Sequence, residues 1–149
     1  MFCLSVVLAG ILLLGGDAVA EKPDWVYFGT SAASGDHFLY DPKSVTRQPD
    51  GVVQVNINKT FKDPSKVTAA RAAQGLSTKG WDRLAGIQAL WELDCKNGRL
   101  ATIAEISYDK DGQPLEQRKF EKREWSPISP QSLAHNLQGK VCPDKGKKK

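Results

Sequence analysis

The sequence predicts an α+β fold: one antiparallel sheet of about six strands, with a C-terminal helix packed on one face and held by a disulfide. Three observations carry this. Asn97-Gly98 and Asp109-Lys110-Asp111-Gly112 lie between strand-like runs, and such hairpin turns impose antiparallel pairing. Leu133, Leu137 and Val141 recur four residues apart and make a single apolar stripe on a helix. Cys95 and Cys142 form an even pair, one at the end of a strand-like run and one at the end of that helix.

Taken in order, Trp25 to Thr30 is rich in aromatic and β-branched residues and reads as a first strand. His37 to Asp41 reads as a second, stopped by Pro42. Gln48-Pro49-Asp50-Gly51 is a turn, after which Val53, Val55 and Ile57 alternate with Gln54, Asn56 and Asn58, the pattern of a half-buried strand. Asp63-Pro64 opens a helix that runs to a stop at Gly75, with Asp63 as N-cap and Pro64 in the first helical position. Val67 and Ala70, with Leu76 beyond the stop, could face a core, so this helix is expected to pack shallowly.

Ile87, Ala89, Trp91, Leu93 and Cys95 share one face of a fourth strand, the face the last helix should cover. Arg99 to Tyr108 is the return strand. Pro114 to Trp125 is a long, charged strand suited to an edge, where charges and proline deter further pairing. Ser129 and Pro130 open the last helix as N-cap and first helical residue.

The chain has 149 residues, a length that suits one domain. Residues 1–20 read as a signal peptide: Leu4 to Leu14 is almost wholly apolar, and Ala18-Val19-Ala20 places cleavage between Ala20 and Glu21. The apolar run is shorter than the roughly 20 residues a membrane span needs. Two features depart from the usual pattern. No Lys or Arg precedes the run, and Cys3 stands before it rather than after, the wrong side for lipidation. Cleavage leaves Cys95 and Cys142 alone in an oxidising compartment, where they should pair. Closing a loop of about 47 residues stabilises by roughly 4 kcal/mol in the chain-entropy picture.

The net charge is +4, yet most of it comes from the lysines of the last ten residues. Residues 143–149 read as a disordered, Lys-rich tail, with peripheral contact to an anionic envelope as its functional reading. The body, 21–142, has no basic face, so nucleic acid is not expected as a partner.

No metal, cofactor or catalytic constellation is expected. His37 and His135 stand far apart and lack zinc-ligand spacing. Asp109 to Gly112 resembles the start of a calcium loop, but its glycine comes too early and Phe120 occupies the place of the closing glutamate. No serine has a nucleophile-elbow setting. Glu116, Glu121 and Glu124 are interleaved with Arg118, Lys119, Lys122 and Arg123, a solvated charge ladder. Trp91 is expected in the core. Trp81, in Lys79-Gly80-Trp81-Asp82, is the candidate binding aromatic, against the alternative that it plugs the end of the sheet.

The ordered set of Trp25, Tyr40-Asp41-Pro42-Lys43-Ser44-Val45, Leu93-Asp94-Cys95, Ile106-Ser107-Tyr108-Asp109 with Gly112, Trp125-Ser126-Pro127-Ile128-Ser129-Pro130 and Leu137 to Cys142 resembles the bacterial surface-adhesin protein E-like domain over residues 24–142. The resemblance implies an antiparallel sheet with a disulfide-held C-terminal helix, and a surface or periplasmic location. The family's founding member is an adhesin for host extracellular-matrix and plasma proteins and can pair as a dimer. A protein partner and a homodimer are therefore what the resemblance implies here. No lipidation cysteine follows the leader, and no host-binding peptide matches residue by residue, so the resemblance assigns no binding residue. The resulting expectation is an exported, noncatalytic, adhesin-like module. The alternatives are a structural envelope protein held by its lysine tail, or a small periplasmic hydrolase using a carboxylate or the His37 region, for which a pocket converging on His37, Asp36 and Asp41 would be the sign.

Overall fold

The computed structural model describes residues 22–143. The expected signal peptide and lysine tail lie outside the described residues, apart from Pro143. Eight strands form one sheet: β1 (Val26–Thr30), β2 (His37–Tyr40), β3 (Thr46–Arg47), β4 (Val52–Thr60), β5 (Leu84–Asp94), β6 (Arg99–Asp109), β7 (Pro114–Lys119) and β8 (Ser126–Pro127). Two helices, α1 (Ser65–Ala73) and α2 (Leu133–Val141), complete the fold. The strand order is β1-β2-β4-β5-β6-β7, every pair antiparallel, with β3 alongside β4 and β8 alongside β6. The two strands beyond the expected six are the two-residue β3 and β8.

The core lies between the sheet and α2. Val53, Val55 and Ile57 of β4, Leu93 of β5, Phe28 of β1, and Leu137 and Val141 of α2 are all buried together. Burying a leucine or valine side chain fully is worth about 1.5–3 kcal/mol. Ala89, Trp91, Leu100, Ile128 and Leu133 pack around this cluster. Cys95 and Cys142 are bonded, with Cα atoms 5.7 Å apart, so the end of α2 is tied to the end of β5. The Arg47 guanidinium adds a 2.9 Å hydrogen bond to the Val141 carbonyl.

The return strand does not alternate cleanly, and the ladder shows why. Leu90 pairs with Ala104 and Trp91 with Thr102, leaving Ile103 as an extra residue. This bulge switches the parity of β6, so Leu100 and Thr102 share the helix face with Glu105 and Ser107. Gly86 marks a second irregularity. A Cβ there would stand 2.4 Å from both the Lys59 carbonyl oxygen and the Tyr108 hydroxyl. Its absence lets the Tyr108 hydroxyl donate to Asn58 Oδ1 at 2.6 Å, and burial raises the tyrosine pKa.

Two expected boundaries need correction. The edge strand ends at Lys119 rather than Trp125. After Phe120 donates its N–H to Ile103 at 2.9 Å, the chain leaves the ladder, rejoining β6 only at Ser126–Pro127. The last helix begins at Leu133, not at Ser129-Pro130. Ser129 to Ser132 is a turn, closed by the Ser132 N–H on the Ser129 carbonyl. Pro130 takes its second position and Gln131 its third at φ 62°, which no helix accommodates. Ser132 is the true cap, its hydroxyl accepting the His135 N–H at 3.1 Å. At the first helix, Pro64 is already helical at φ −70° and ψ −15°, and Asp63 makes the expected capping bond, accepting the Ser65 N–H at 3.1 Å. No residue of α1 is buried.

Candidate functional site

The face of the sheet opposite α2 carries Gln54, Asn56 and Asn58 of β4, Gln88, Leu90 and Glu92 of β5, and Ala101, Ala104 and Ile106 of β6, as cross-strand pairing and alternation require. At its centre Leu90, Ala104 and Ile106 form a shallow apolar strip edged by the amides of Asn56 and Gln88, over a depression of about 220 Å³. Ile106 is 37% exposed.

Toward the β5–β6 hairpin this face changes character. The segment from Phe120 to Trp125 bulges as a strap from the outer edge of β6, between Lys119 and Ser126, and its Arg123 side chain reaches over the face. Arg123 donates from Nε to Glu92 Oε2 at 2.5 Å and from Nη2 to Oε1 at 3.1 Å, while Gln54 Nε2 donates to Oε1 at 2.8 Å. Glu92 is only 3% exposed, and Ala101, its cross-strand partner, is also buried. The Arg123 hydrogen bonds hold the Glu92 carboxyl below its ordinary pKa despite burial, with Gln54 assisting. Beside this pair, Asp94 accepts from Asn97 Nδ2 at 2.7 Å, Arg99 Nη2 at 2.7 Å and the Asn97 N–H at 3.0 Å. These bonds, those from Asn97 and Arg99 above all, take its pKa down to about 2. The Arg99 guanidinium also sits 5.1 Å from the centre of the Trp125 ring. Between strap and turn lies a depression of about 530 Å³, lined by Gln48, Asp50, Gln54, Glu92, Arg123 and Trp125 among others.

The residues singled out from sequence are scattered. Trp81 is 5% exposed, in a 3₁₀ turn (Trp81–Arg83), with the Arg71 guanidinium 4.0 Å over its ring. Arg71 in turn donates to the Ser77 carbonyl at 2.6 Å and to Glu116 Oε1 at 3.0 Å, fixing α1 against the sheet. Trp91 packs beside the core, its ring centre 6.5 Å from that of Phe38.

Asp36, His37 and Asp41 are not joined. Buried Asp36 accepts the Lys62 N–H at 3.0 Å and pairs with Lys59 at 3.1 Å. Burial pushes its carboxyl up, but the Ser34, Lys62 and Lys59 interactions bring it below the ordinary value. Asp41 caps a 3₁₀ turn (Pro42–Ser44) through the Lys43 N–H at 3.0 Å. His37 Nδ1 instead meets Thr30 Oγ1 at 2.9 Å, and Thr30 meets the Tyr27 hydroxyl at 2.8 Å. Thr30 and His37 are cross-strand partners. Asp109 accepts the Asp111 and Gln113 N–H groups at 2.9 and 2.8 Å, the economy of a hairpin turn, and Arg83 pairs with Asp111. Among the described residues no group of three or more His, Cys, Asp or Glu side chains is placed to hold a metal ion, and no helix is long and apolar enough to cross a membrane.

Sequence reasoning placed Glu92, Arg123 and Trp125 in a regular strand and an exposed charge ladder, and so missed the strap. The available signal was Glu92 itself, an acid on the polar parity of a strand otherwise rich in apolar residues.

No curated protein matches the chain. Among solved structures it is similar to protein E of Haemophilus influenzae. Against its selenomethionine form the identity is 15%, with 83% of this chain and 88% of that chain covered and a TM-score of 0.49. Against crystal form II the identity is 16%, with 70% and 79% covered and a TM-score of 0.46. Against protein E from non-typeable Haemophilus influenzae it is 16%, with 78% and 74% covered and a TM-score of 0.46. The family described as Surface-adhesin protein E matches residues 25–143, nearly the whole described region, and the chain belongs to that family of adhesin-like surface proteins.

Proposed function

We propose that this chain is an exported, noncatalytic binding module that engages a protein partner at the cell envelope or surface through the helix-free face of its sheet. The observation that carries the reading is the strip of half-buried Leu90 and Ala104 beside exposed Ile106, in the middle of a sheet and rimmed by amides. Protein interfaces have this anatomy, an apolar centre inside a polar rim. Membership of a surface-adhesin family supports the same reading. His37, Asp36 and Asp41 each bond to a different neighbour, so the hydrolase alternative draws no support from that region.

The test is retention of extracellular-matrix and plasma proteins by the immobilised protein, compared with Ile106→Asp and Leu90→Asp. A charge in the centre of the strip should weaken retention about tenfold or more. Retention unchanged in both variants would remove the face from the reading, and no retention by the parent protein would remove the binding function. A homodimer through this strip would dissociate in the same variants, which sedimentation reads.

A further inference from the structure

We propose that the depression between the strap and the Gln48–Gly51 turn is a saccharide site that takes a neutral pyranose ring against Trp125. The proposal concerns a place on the molecule separate from the apolar strip and stands on different observations. The depression, about 530 Å³, has the size of a small-ligand site. One wall is an indole, whose broad face matches the C–H face of a sugar ring. That indole is held in place, because the guanidinium over it belongs to Arg99, itself fixed on buried Asp94.

The polar groups are arranged in two tiers. The floor is buried Glu92, whose two oxygens are taken up by Gln54 and Arg123. Those bonds fix the direction of what they leave over, namely Gln54 Oε1 as an acceptor and Arg123 Nη1 as a donor. Around the rim, the Gln48 side-chain amide and the Trp125 indole N–H make no hydrogen bond among the described residues. Asp50 commits only Oδ1, to the Val52 N–H at 3.1 Å. Donors and acceptors therefore both line the cavity, which suits hydroxyl groups, since each is both.

Charge selects the kind of sugar. Arg99 and Arg123 are each paired with a carboxylate, and Asp50 adds another negative charge at the rim. A phosphorylated, sulfated or uronic acid would meet that carboxylate without a spare cation, so the site favours uncharged rings.

Saturation-transfer NMR on the purified protein tests this with two probes, the trimer of N-acetylglucosamine and a trimer of glucose, and with inorganic sulfate as competitor. Transfer to the ring C–H protons of at least one trimer is expected, unaffected by sulfate. Trp125→Ala should weaken the affinity about tenfold. Gln48→Ala, which removes a side chain with no bonding partner in the protein, should weaken it about fivefold while leaving the unfolding midpoint unchanged. Absence of transfer to both trimers, equal transfer in parent and both variants, or displacement by sulfate would each overturn the proposal.

Discussion

Arg123 reaches back from the strap to clasp both carboxylate oxygens of Glu92, from Nε at 2.5 Å and from Nη2 at 3.1 Å. One partner is almost fully buried and the other about half exposed. The pair is therefore unequal: removing Arg123 strands a buried charge, whereas removing the Glu92 charge merely releases a surface arginine.

Arg123→Ala should lower the urea midpoint, by less than the loss of a fully buried pair would, because solvent screens the guanidinium. Arg123→Ala combined with Glu92→Gln should be less destabilised than the sum of the two single changes. Strict additivity in that cycle would show the clasp to be energetically idle.

Leu137 is fully buried beneath the sheet, so Leu137→Ala should cost about 2–5 kcal/mol through lost transfer energy and the cavity left behind. Reducing the Cys95–Cys142 bond acts differently, by freeing the unfolded chain, and should lower stability by roughly 4 kcal/mol at most. Denaturation with and without reductant separates the two. A parent protein whose midpoint ignores reductant would contradict the staple.

Two glycines should respond unequally to alanine. At Gly86 the new methyl would meet the Lys59 backbone carbonyl at 2.4 Å, which the ladder holds in place. At Gly29 it would meet the tip of Leu133 at 2.3 Å, the end of a flexible side chain that can turn away. Gly86→Ala should therefore cost the more, about 1–3 kcal/mol or above, and thermal melts that rank the two the other way would refute the assignment of rigidity.

Acid should weaken the fold through its buried carboxylates. Asp94 falls from an ordinary 3.8 to about 2 in the folded protein, and Glu92 and Asp36 are lowered as well. A depressed folded pKa contributes stability that is complete above the unfolded value and is lost as pH falls through the folded one. Stability should thus decline from about pH 4 toward pH 2, and Asp94→Asn should flatten that decline. Urea midpoints across the range would show it, and an Asp94→Asn profile parallel to the parent would count against Asp94 as a source.

The helix stripe of Leu133, Leu137 and Val141, the alternation of Val53, Val55 and Ile57, and the Asn97-Gly98 turn were legible because each is a local period or dipeptide with one physical meaning. The start of α2 was misplaced because Ser-Pro serves a turn as well as a helix, and only the backbone at Gln131 decides between them. The strap was illegible for a different reason. Glu121 to Trp125 continues the charged run of the edge strand, and the partner that holds Arg123 over the sheet is a buried acid on β5, far away in sequence. The Ile103 bulge likewise leaves no mark in the residues, since it follows from the match between two strands.

The bond between Cys95 and Cys142 also sets the path of a pulling force. Tension entering beyond Cys142 passes straight through the sulfurs into the end of β5 and bypasses residues 96–141. The return strand, the strap and the last helix sit inside that covalent ring, sheltered, and a stretched molecule can lengthen only by unravelling the strands ahead of Cys95.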